Sequence, residues 1–554
     1  MESRASSIPR LTGGNGQVHH QPVVVRRPNS LDLASAARFA ALREANEPER
    51  LEAAAELDRV STELQEARYA VALEKRLTKD QILEGYLNIA SFGTNLYGVE
   101  AAARQYFGIH ASELNYLQAA TIAGVTQAPS RWDPTRNPEA AQSRRNTVLM
   151  LMLEQGYITQ EEFDVGVATP LEDTLNYTPT PIGCETAGNA AFFCDYVINV
   201  ILNSPEFGET KQDRRNLLYT GGLDIYTTLD IRMQDLAMQI TAETVPATDE
   251  SGVATAIAAV QPGTGYILAM GQNRPLDTSP EPEPGHTAVN YAAGQPYSAS
   301  MGFQPGSSFK PITLAAWIAS GHNLMERVNA SRQTWTGPVW QASCIGDGGM
   351  HSFGTYNPGN VDGSASGMIT VMTATERSIN TAYIDMTNKL DLCAITDMAD
   401  RLGFERSDQN PTTPQPSTTL GVEVTSPLSM ANAYATIAAN GVRCDPIAIT
   451  RVTDSNGEEL EVPSANCVQS VDPQVTSAVS YALSAVVDRL RLNIGIPSAG
   501  KTGTAQDNSH SWFVGYTPAL SAAVWVGNPA GVIPMQHIRI NGTYHSYVYG
   551  STIA

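Results

Sequence analysis

The chain has 554 residues, of which 42% are hydrophobic and 16% are charged, a composition typical of globular proteins. This length predicts two or more domains, and the net charge of −21 argues against nucleic acid and against an anionic membrane surface as partners. The sequence contains no uninterrupted apolar stretch long enough to span a bilayer. The polar start from Met1 to Arg10 is not typical of a secretory signal, so no membrane anchor is expected in this chain.

The first part of the chain predicts helices after an irregular start. Residues 1–45 show no sustained hydrophobic period and are not expected to form a native fold. Residues 46–165 predict a partial helical domain, in which two helices begin at the capping boxes Thr78-Lys79-Asp80-Gln81 and Thr159-Gln160-Glu161-Glu162. Residues 166–250 are rich in Thr, Pro and Asn at first, and predict a linker with a small β region around the alternating stretch Gly221–Leu229.

Residues 251–554 predict a larger domain of helices and antiparallel strands. Ala254–Val260 and Tyr266–Met270 flank a Pro-Gly turn and predict a hairpin. Further helices are expected over 371–402 and 426–440, and strands over 501–505, 511–516 and 520–526. An antiparallel sheet should therefore close the chain.

The stretch from Gln304 to Pro311 holds the first candidate site. Pro305-Gly306 interrupts the chain, and the apolar run that follows predicts a buried helix with Ser307 in its first turn. Residues three apart share a helical face, so the Ser307 hydroxyl and the Lys310 amine can touch, and a neutral amine can activate a serine. The alternative is an ordinary helix N-cap followed by an exposed lysine.

Lysine usage favours the catalytic interpretation, because only six of the 35 basic residues are lysines. A buried lysine can lose its proton, whereas arginine cannot. Another of the six opens Lys501-Thr502-Gly503-Thr504, and Ser378-Ile379-Asn380 lies between the two lysine motifs. A second Ser-x-Asn sequence, Ser464-Ala465-Asn466, is the alternative to Ser378, but it lies beside Pro463 in a polar loop, whereas a helix is expected to continue from Ser378.

These three motifs, in this order, resemble the penicillin-binding protein and serine β-lactamase superfamily. Their surroundings resemble the transpeptidase domain of class A (bifunctional) penicillin-binding proteins over about residues 220–554. The stretches that carry the resemblance are Gln304–Pro311, Thr419-Leu420-Gly421, Ala431–Thr436, Ala499–Ala505 and Trp512–Tyr516. The implied fold is multidomain α and α+β, with a partial lysozyme-like glycosyltransferase lobe, a linker, and a transpeptidase domain whose antiparallel sheet is flanked by helices.

The resemblance also implies a role for each candidate residue. Ser307 is the nucleophile and Lys310 its general base, while Ser378 and Asn380 relay a proton and hold the substrate amide. Lys501 and Thr502 bind the terminal carboxylate, which Thr504 can share, and Gly503 belongs to the same substrate-binding strand. Backbone N–H groups of Ser307 and Thr504 form the oxyanion hole. Independently of the family, burial and the nearby charge of Lys501 should both lower the pKa of Lys310.

Residues 61 to about 165 resemble the C-terminal part of the glycosyltransferase domain of the same proteins. Ile82–Asn88, Tyr97–Ala103 and Ala119–Gly124 follow the family pattern, and Glu66 matches the family's second functional glutamate. The first family motif, with its catalytic Glu-Asp, is absent, and one glutamate does not make a glycosyl-transfer site. We therefore expect an inactive remnant in a chain that is truncated at both ends and lacks the family's membrane anchor.

The six cysteines form no CxxC pair and have no neighbouring histidine, so neither a metal nor another cofactor is expected. An extracytoplasmic location, which the family implies, fits three disulfides. The preferred pairs are Cys184–Cys194 and Cys444–Cys467, which leaves Cys344–Cys393. Six reduced thiols are the alternative.

The sequence therefore predicts a D,D-transpeptidase of peptidoglycan synthesis on the cell-wall side of a bacterial plasma membrane. Its expected partners are stem peptides that end in D-Ala-D-Ala and β-lactams such as penicillin. A lipid-linked glycan is expected only for the full-length family member, and nucleic acid is not expected. Two alternatives share the acyl-enzyme chemistry, a serine β-lactamase and a D,D-carboxypeptidase. A third is a non-catalytic penicillin sensor or cell-wall-binding module.

Overall fold

The computed structural model describes residues 68–93, 96–177, 183–279, 281–360, 366–454 and 456–553. The chain divides into two compact units, Met1–Thr180 and Pro181–Ala554. The predicted irregular start over 1–45 and the candidate residue Glu66 lie outside the described residues. Within the described ranges, no helix combines the length and the apolar character needed to cross a bilayer.

The first unit is a group of short helices, as the periodicity predicts. Its described residues include the helices α1 (Lys79–Ile89), α2 (Val99–Phe107), α3 (Tyr116–Val125), α4 (Pro138–Glu154) and α5 (Gln160–Ala168), and the strands β1 (Ser91–Gly93) and β2 (Leu96–Tyr97). Both predicted capping boxes are confirmed, with Thr78 and Thr159 as the N-caps. The phenol of Tyr106 donates a hydrogen bond to the carbonyl of Phe92 (2.7 Å) inside a small apolar core.

The second unit holds nine helices among its described residues. These are α6 (Ala191–Asn203), α7 (Lys211–Thr220), α8 (Ile231–Thr244), α9 (Lys310–Ala319), α10 (Val371–Glu376), α11 (Asn380–Lys389), α12 (Leu392–Leu402), α13 (Pro427–Ala438) and α14 (Pro473–Leu490). The prediction of a linker with a small β region over 166–250 is wrong for most of its length, because α6, α7 and α8 occupy it and β3 (Asp224–Thr227) is a short strand. Helices α6 and α7 form because their apolar residues pack into the main core of this unit, and α8 packs Ala237 against Ala259 and Ala269 of the sheet.

The central element is a five-stranded antiparallel sheet with the order β14-β15-β16-β4-β5. Its strands are β4 (Ala254–Val260), β5 (Ile267–Gln272), β14 (Ala499–Thr504), β15 (His510–Thr517) and β16 (Leu520–Gly527), so the predicted hairpin and closing strands are confirmed. The smaller pairs involve β3, β6 (Arg327–Asn329), β7 (Trp340–Gln341), β8 (Met350–His351), β9 (Met368–Thr370), β10 (Val442–Arg443), β11 (Ile449–Thr453), β12 (Glu459–Leu460), β13 (Val468–Gln469), β17 (Gln536–Ile540) and β18 (Thr543–Tyr547).

The sheet is packed against helices, and its two edge strands have different neighbours. Helix α8 lies along the edge strand β5, where the Gln234 side chain exchanges two hydrogen bonds with the backbone of Met270. The side of the sheet that faces α9, α13 and α14 carries the main apolar core. The other edge strand, β14, carries Lys501 and lies beside the turn that contains Ser307. The open edge of the sheet is thus next to the candidate nucleophile.

All six cysteines form disulfides, and the preferred pairing is confirmed. The bonded pairs are Cys184–Cys194, Cys344–Cys393 and Cys444–Cys467. The alternative of six reduced thiols is not what the structure contains.

Candidate active site

Ser307 lies in a single 3-10 turn, Gly306–Phe309, that leads directly into helix α9. Side chains three apart eclipse in a 3-10 helix, so Ser307 and Lys310 lie on the same face. The turn is fixed from both sides, because Trp512 donates from its indole nitrogen to the carbonyl of Gln304 (2.9 Å) and the Tyr434 phenol donates to the carbonyl of Ser308 (2.7 Å). Ser307 itself is half-buried and so remains reachable.

Close backbone contact brings this turn against the edge strand β14. A Cβ atom on Gly503 would lie 2.1 Å from the carbonyl oxygen of Pro305, a distance that no side chain can tolerate. Gly503 therefore serves first to let the strand approach the turn. Directly after β14, the N–H of Ala505 donates to the carbonyl of His510 on β15. In the alternating antiparallel pattern, Thr502 and Thr504 in β14 therefore direct their N–H groups to the open edge.

Lys310 is completely buried, with 0% of its surface exposed. Its Nζ donates to the carbonyl of Ser378 (2.7 Å) and to Oδ1 of Asn380 (2.6 Å), and it lies 3.2 Å from the Ser378 hydroxyl. The Asn380 side chain is held in turn by a bond from Nδ2 to the carbonyl of Gly359 (2.9 Å). Burial lowers the pKa of Lys310 well below its ordinary value, and the positive charge of Lys501 lowers it further, as the sequence predicts.

Lys501 reaches the same serine from β14. Its Nζ donates to the Ser378 hydroxyl (2.8 Å), and only 1% of its surface is exposed. Burial lowers the pKa of Lys501 to about 7, and the positive charge of Arg489 contributes. The Ser378 hydroxyl thus bridges two buried amines. The backbone of Ser378 has a φ of 57°, in the left-handed region that non-glycine residues rarely adopt. Such backbone strain is common at functional sites.

The structure brings Lys310, Ser378, Asn380 and Lys501 into direct contact beside the turn of Ser307, and separates the rival motif from them. Asn466 donates a hydrogen bond to Asp445 (3.0 Å), away from both lysines. Sequence reasoning missed Arg489, which bonds from Nε to the carbonyl of Glu376 (2.8 Å) and affects the charge state of Lys501. An arginine near a helix end is too common to be a signal in the sequence, so only the fold identifies it.

Comparison with known proteins places both parts of the chain. Residues 38–153 match the family model "Transglycosylase", and residues 255–530 match "Penicillin binding protein transpeptidase domain". Penicillin-binding protein 2D of Bacillus subtilis is 30% identical over 477 residues, which cover 83% of this chain and 62% of that protein. The chain belongs to the class A penicillin-binding proteins.

Two solved structures of penicillin-binding proteins show the same architecture. PonA1 of Mycobacterium tuberculosis in complex with penicillin V is 28% identical, with a TM-score of 0.50 over 61% of this chain and 84% of that one. Penicillin-binding protein 1A of Haemophilus influenzae is 19% identical, with a TM-score of 0.59 over 82% of each chain, and this likeness concerns the fold alone. This penicillin-binding protein spans 57% of the length of penicillin-binding protein 1A of Mycolicibacterium smegmatis, to which it is 30% identical.

Proposed function

We propose that this penicillin-binding protein is a D,D-transpeptidase that cross-links peptidoglycan stem peptides through an ester on Ser307, and that it binds penicillin at the same serine. One observation carries the proposal: the two buried amines of Lys310 and Lys501, joined through the Ser378 hydroxyl, lie beside the turn of Ser307. The complex of the similar PonA1 with penicillin V supports the ligand class. The three disulfides support an oxidising location on the cell-wall side of a membrane.

The hydrogen bonds around Lys310 suit a neutral amine. A neutral amine has two N–H donors and one lone pair. The carbonyl of Ser378 and Oδ1 of Asn380 accept two hydrogens, and the lone pair is left for a hydroxyl proton. This lone pair accepts one hydroxyl proton at a time, from Ser307 during its attack, or from Ser378 while Ser378 accepts from a charged Lys501. This arrangement connects the two amines by a path along which a proton can move.

The reaction proposed on this geometry is an acyl transfer in which the protons balance. Lys310 takes the proton of the Ser307 hydroxyl. At the same time the Ser307 oxygen attacks the carbonyl carbon of the penultimate D-Ala, or of the β-lactam ring. Ser378 gives a proton to the leaving amine and is reprotonated through the lysines. The N–H groups of Ser307 and Thr504 stabilise the oxyanion, at about 3 kcal/mol for each donor. A stem-peptide amine, or water, then releases the acyl group.

Labelling with fluorescent penicillin, followed by proteolysis and mass spectrometry, tests the proposal. We expect one label per chain, on the peptide that contains Ser307, and an ester that persists long enough to be isolated. A label on another residue, or no label on folded protein, contradicts the proposal. Rapid release of hydrolysed penicillin would instead indicate the β-lactamase alternative.

The pH dependence of acylation is a second test, because the two lysines must hold opposite charge states. The pKa of Lys310 is well below its ordinary value, and Lys310 must be neutral to act as the base. The acylation rate should therefore fall as the pH falls through this pKa and Lys310 becomes protonated. Lys501, with a pKa of about 7, must be charged to hold a carboxylate, so the rate should also fall as pH rises above that value. The second-order rate constant should therefore be bell-shaped in pH. A penicillin methyl ester lacks the carboxylate, so its acylation rate should no longer fall at alkaline pH. An unchanged fall at alkaline pH with this ester contradicts the role of Lys501.

A further inference from the structure

A cavity of about 370 Å³ lies in the transpeptidase unit, and its lining contains none of the catalytic residues Ser307, Lys310, Ser378, Asn380 and Lys501. Three carboxylates line it, those of Glu206, Glu405 and Asp445, together with the ring of Tyr297. Burial raises the pKa of Tyr297, and the negative charges of Glu405, Asp445 and Glu206 raise it further. The three carboxylates thus line one cavity around this phenol and give the cavity a negative potential.

Nearby cations do not cancel this charge. Arg406 lies on the cavity wall, but its guanidinium is occupied by Asp408 (2.6 Å) and Glu423 (3.0 Å). Arg443 approaches Asp445 only to 3.9 Å. The carboxylates of the cavity are therefore left with an excess of negative charge.

Two buried polar side chains on the cavity wall lack hydrogen-bond partners among the described residues. Ser407 is 3% exposed, and its hydroxyl is buried and unpaired. Asn432 is 4% exposed, and its side-chain amide makes no hydrogen bond within the described part of the chain. Buried polar groups in native proteins are nearly always paired, so two such groups on one wall indicate that a polar ligand completes them.

We propose that this cavity binds the primary ammonium group of a ligand with a short aliphatic stem, such as a lysine-like side chain. An ammonium has three N–H donors, which match one carboxylate of the cavity, the Asn432 oxygen and the Ser407 hydroxyl, while the other carboxylates add negative potential. The rings of Tyr196 and Tyr297, 5.0 Å apart, give the methylene stem an apolar wall. A metal ion fits less well, because no three His, Cys, Asp or Glu side chains in the described ranges are close enough to share one.

The Ser464-Ala465-Asn466 loop, which the catalytic site does not use, has a place in this site. Asn466 and Ser464 both line the cavity, and the Asn466 amide donates to Oδ2 of Asp445 (3.0 Å). This bond orients the carboxylate, whose other oxygen, Oδ1, lies 3.9 Å from Arg443. The disulfide Cys444–Cys467 joins the residue before Asp445 to the residue after Asn466.

Isothermal titration with Nα-acetyl-lysine methylamide tests the proposal, with the norleucine analogue as the probe that lacks the ammonium. We expect the lysine probe to bind and the norleucine probe to bind at least about tenfold more weakly. The double variant E405Q/D445N should weaken lysine-probe binding by about tenfold, and E206Q, which leaves the other two carboxylates in place, should weaken it by a smaller factor.

The matched control is E250Q/E281Q, which removes two exposed carboxylates that do not line the cavity. It should leave the binding of the lysine probe unchanged, and thermal melting should show that each variant is folded. Equal binding of both probes, equal weakening in the control, or no binding of the lysine probe by the folded protein overturns the proposal. Tighter binding of Ca²⁺ than of the lysine probe, lost in E405Q/D445N, overturns it as well.

Discussion

Replacement of Lys310 by arginine is expected to lower the rate of acylation by penicillin by about 10⁴-fold, the upper range for loss of a general base. The reason is the charge state rather than the contacts. Arginine keeps a positive charge and hydrogen-bond donors, but it cannot lose a proton in a protein, whereas burial and Lys501 lower the pKa of Lys310. Stopped-flow measurement of the second-order rate constant for a fluorescent penicillin gives the value directly.

Lys389→Arg is the matched control for this change. Lys389 is half-exposed and pairs with Asp385 (2.7 Å), so arginine can replace it without any change in proton transfer. We expect an unchanged acylation rate in this variant. Because residue 310 is completely buried, Lys310→Met is measured beside Lys310→Arg, and both must melt cooperatively. If either folded variant acylates within tenfold of the wild type, Lys310 is not the base.

The pairing of distant motifs was predictable because each motif has a local geometry and the family supplies their order. Ser307 and Lys310 lie one turn apart, and their place on the same helical face follows from their spacing alone. The bridge from Lys310 through Ser378 to Lys501 joins residues 68 and 123 positions apart. No periodicity in the sequence encodes it, so the resemblance carried that part of the prediction.

Helix α6 shows how a local pattern was missed. Its sequence is rich in Phe, Val and Ile, which favour strands, and it follows a polar stretch with the composition of a linker. The buried residues nevertheless have helical spacing, at positions 193, 196, 197, 200 and 201. A count of this spacing would have predicted the helix. The burial that stabilises it comes from the rest of the transpeptidase unit, which no local window contains.

Substitution of Gly421 is the second change expected to lower the acylation rate strongly. The sequence indicated this residue only as part of a stretch that resembles the family. Gly421 has a φ of 70°, and it packs directly on the turn before Ser307. A Cβ atom there would lie 2.1 Å from the carbonyl oxygen and 2.6 Å from the nitrogen of Gly306. The N–H of Gly306 also bonds to the Gly421 carbonyl (3.0 Å). Any side chain at residue 421 must therefore push the nucleophile turn away from its position.

Gly421→Ala should lower the acylation rate by about 100-fold, because a displacement of about 1 Å at a reacting group has this effect. Gly457→Ala is the control, since Gly457 has a similar φ of 80° but open space around its Cβ position. The control should lower the free energy of unfolding by about 1 kcal/mol, the cost of the left-handed backbone, and leave acylation unchanged. Gly421→Ala should lower both the free energy of unfolding and the acylation rate. Denaturant unfolding and penicillin kinetics on both variants separate the two effects, and acylation at the wild-type rate in Gly421→Ala would show that the turn is not held by this contact.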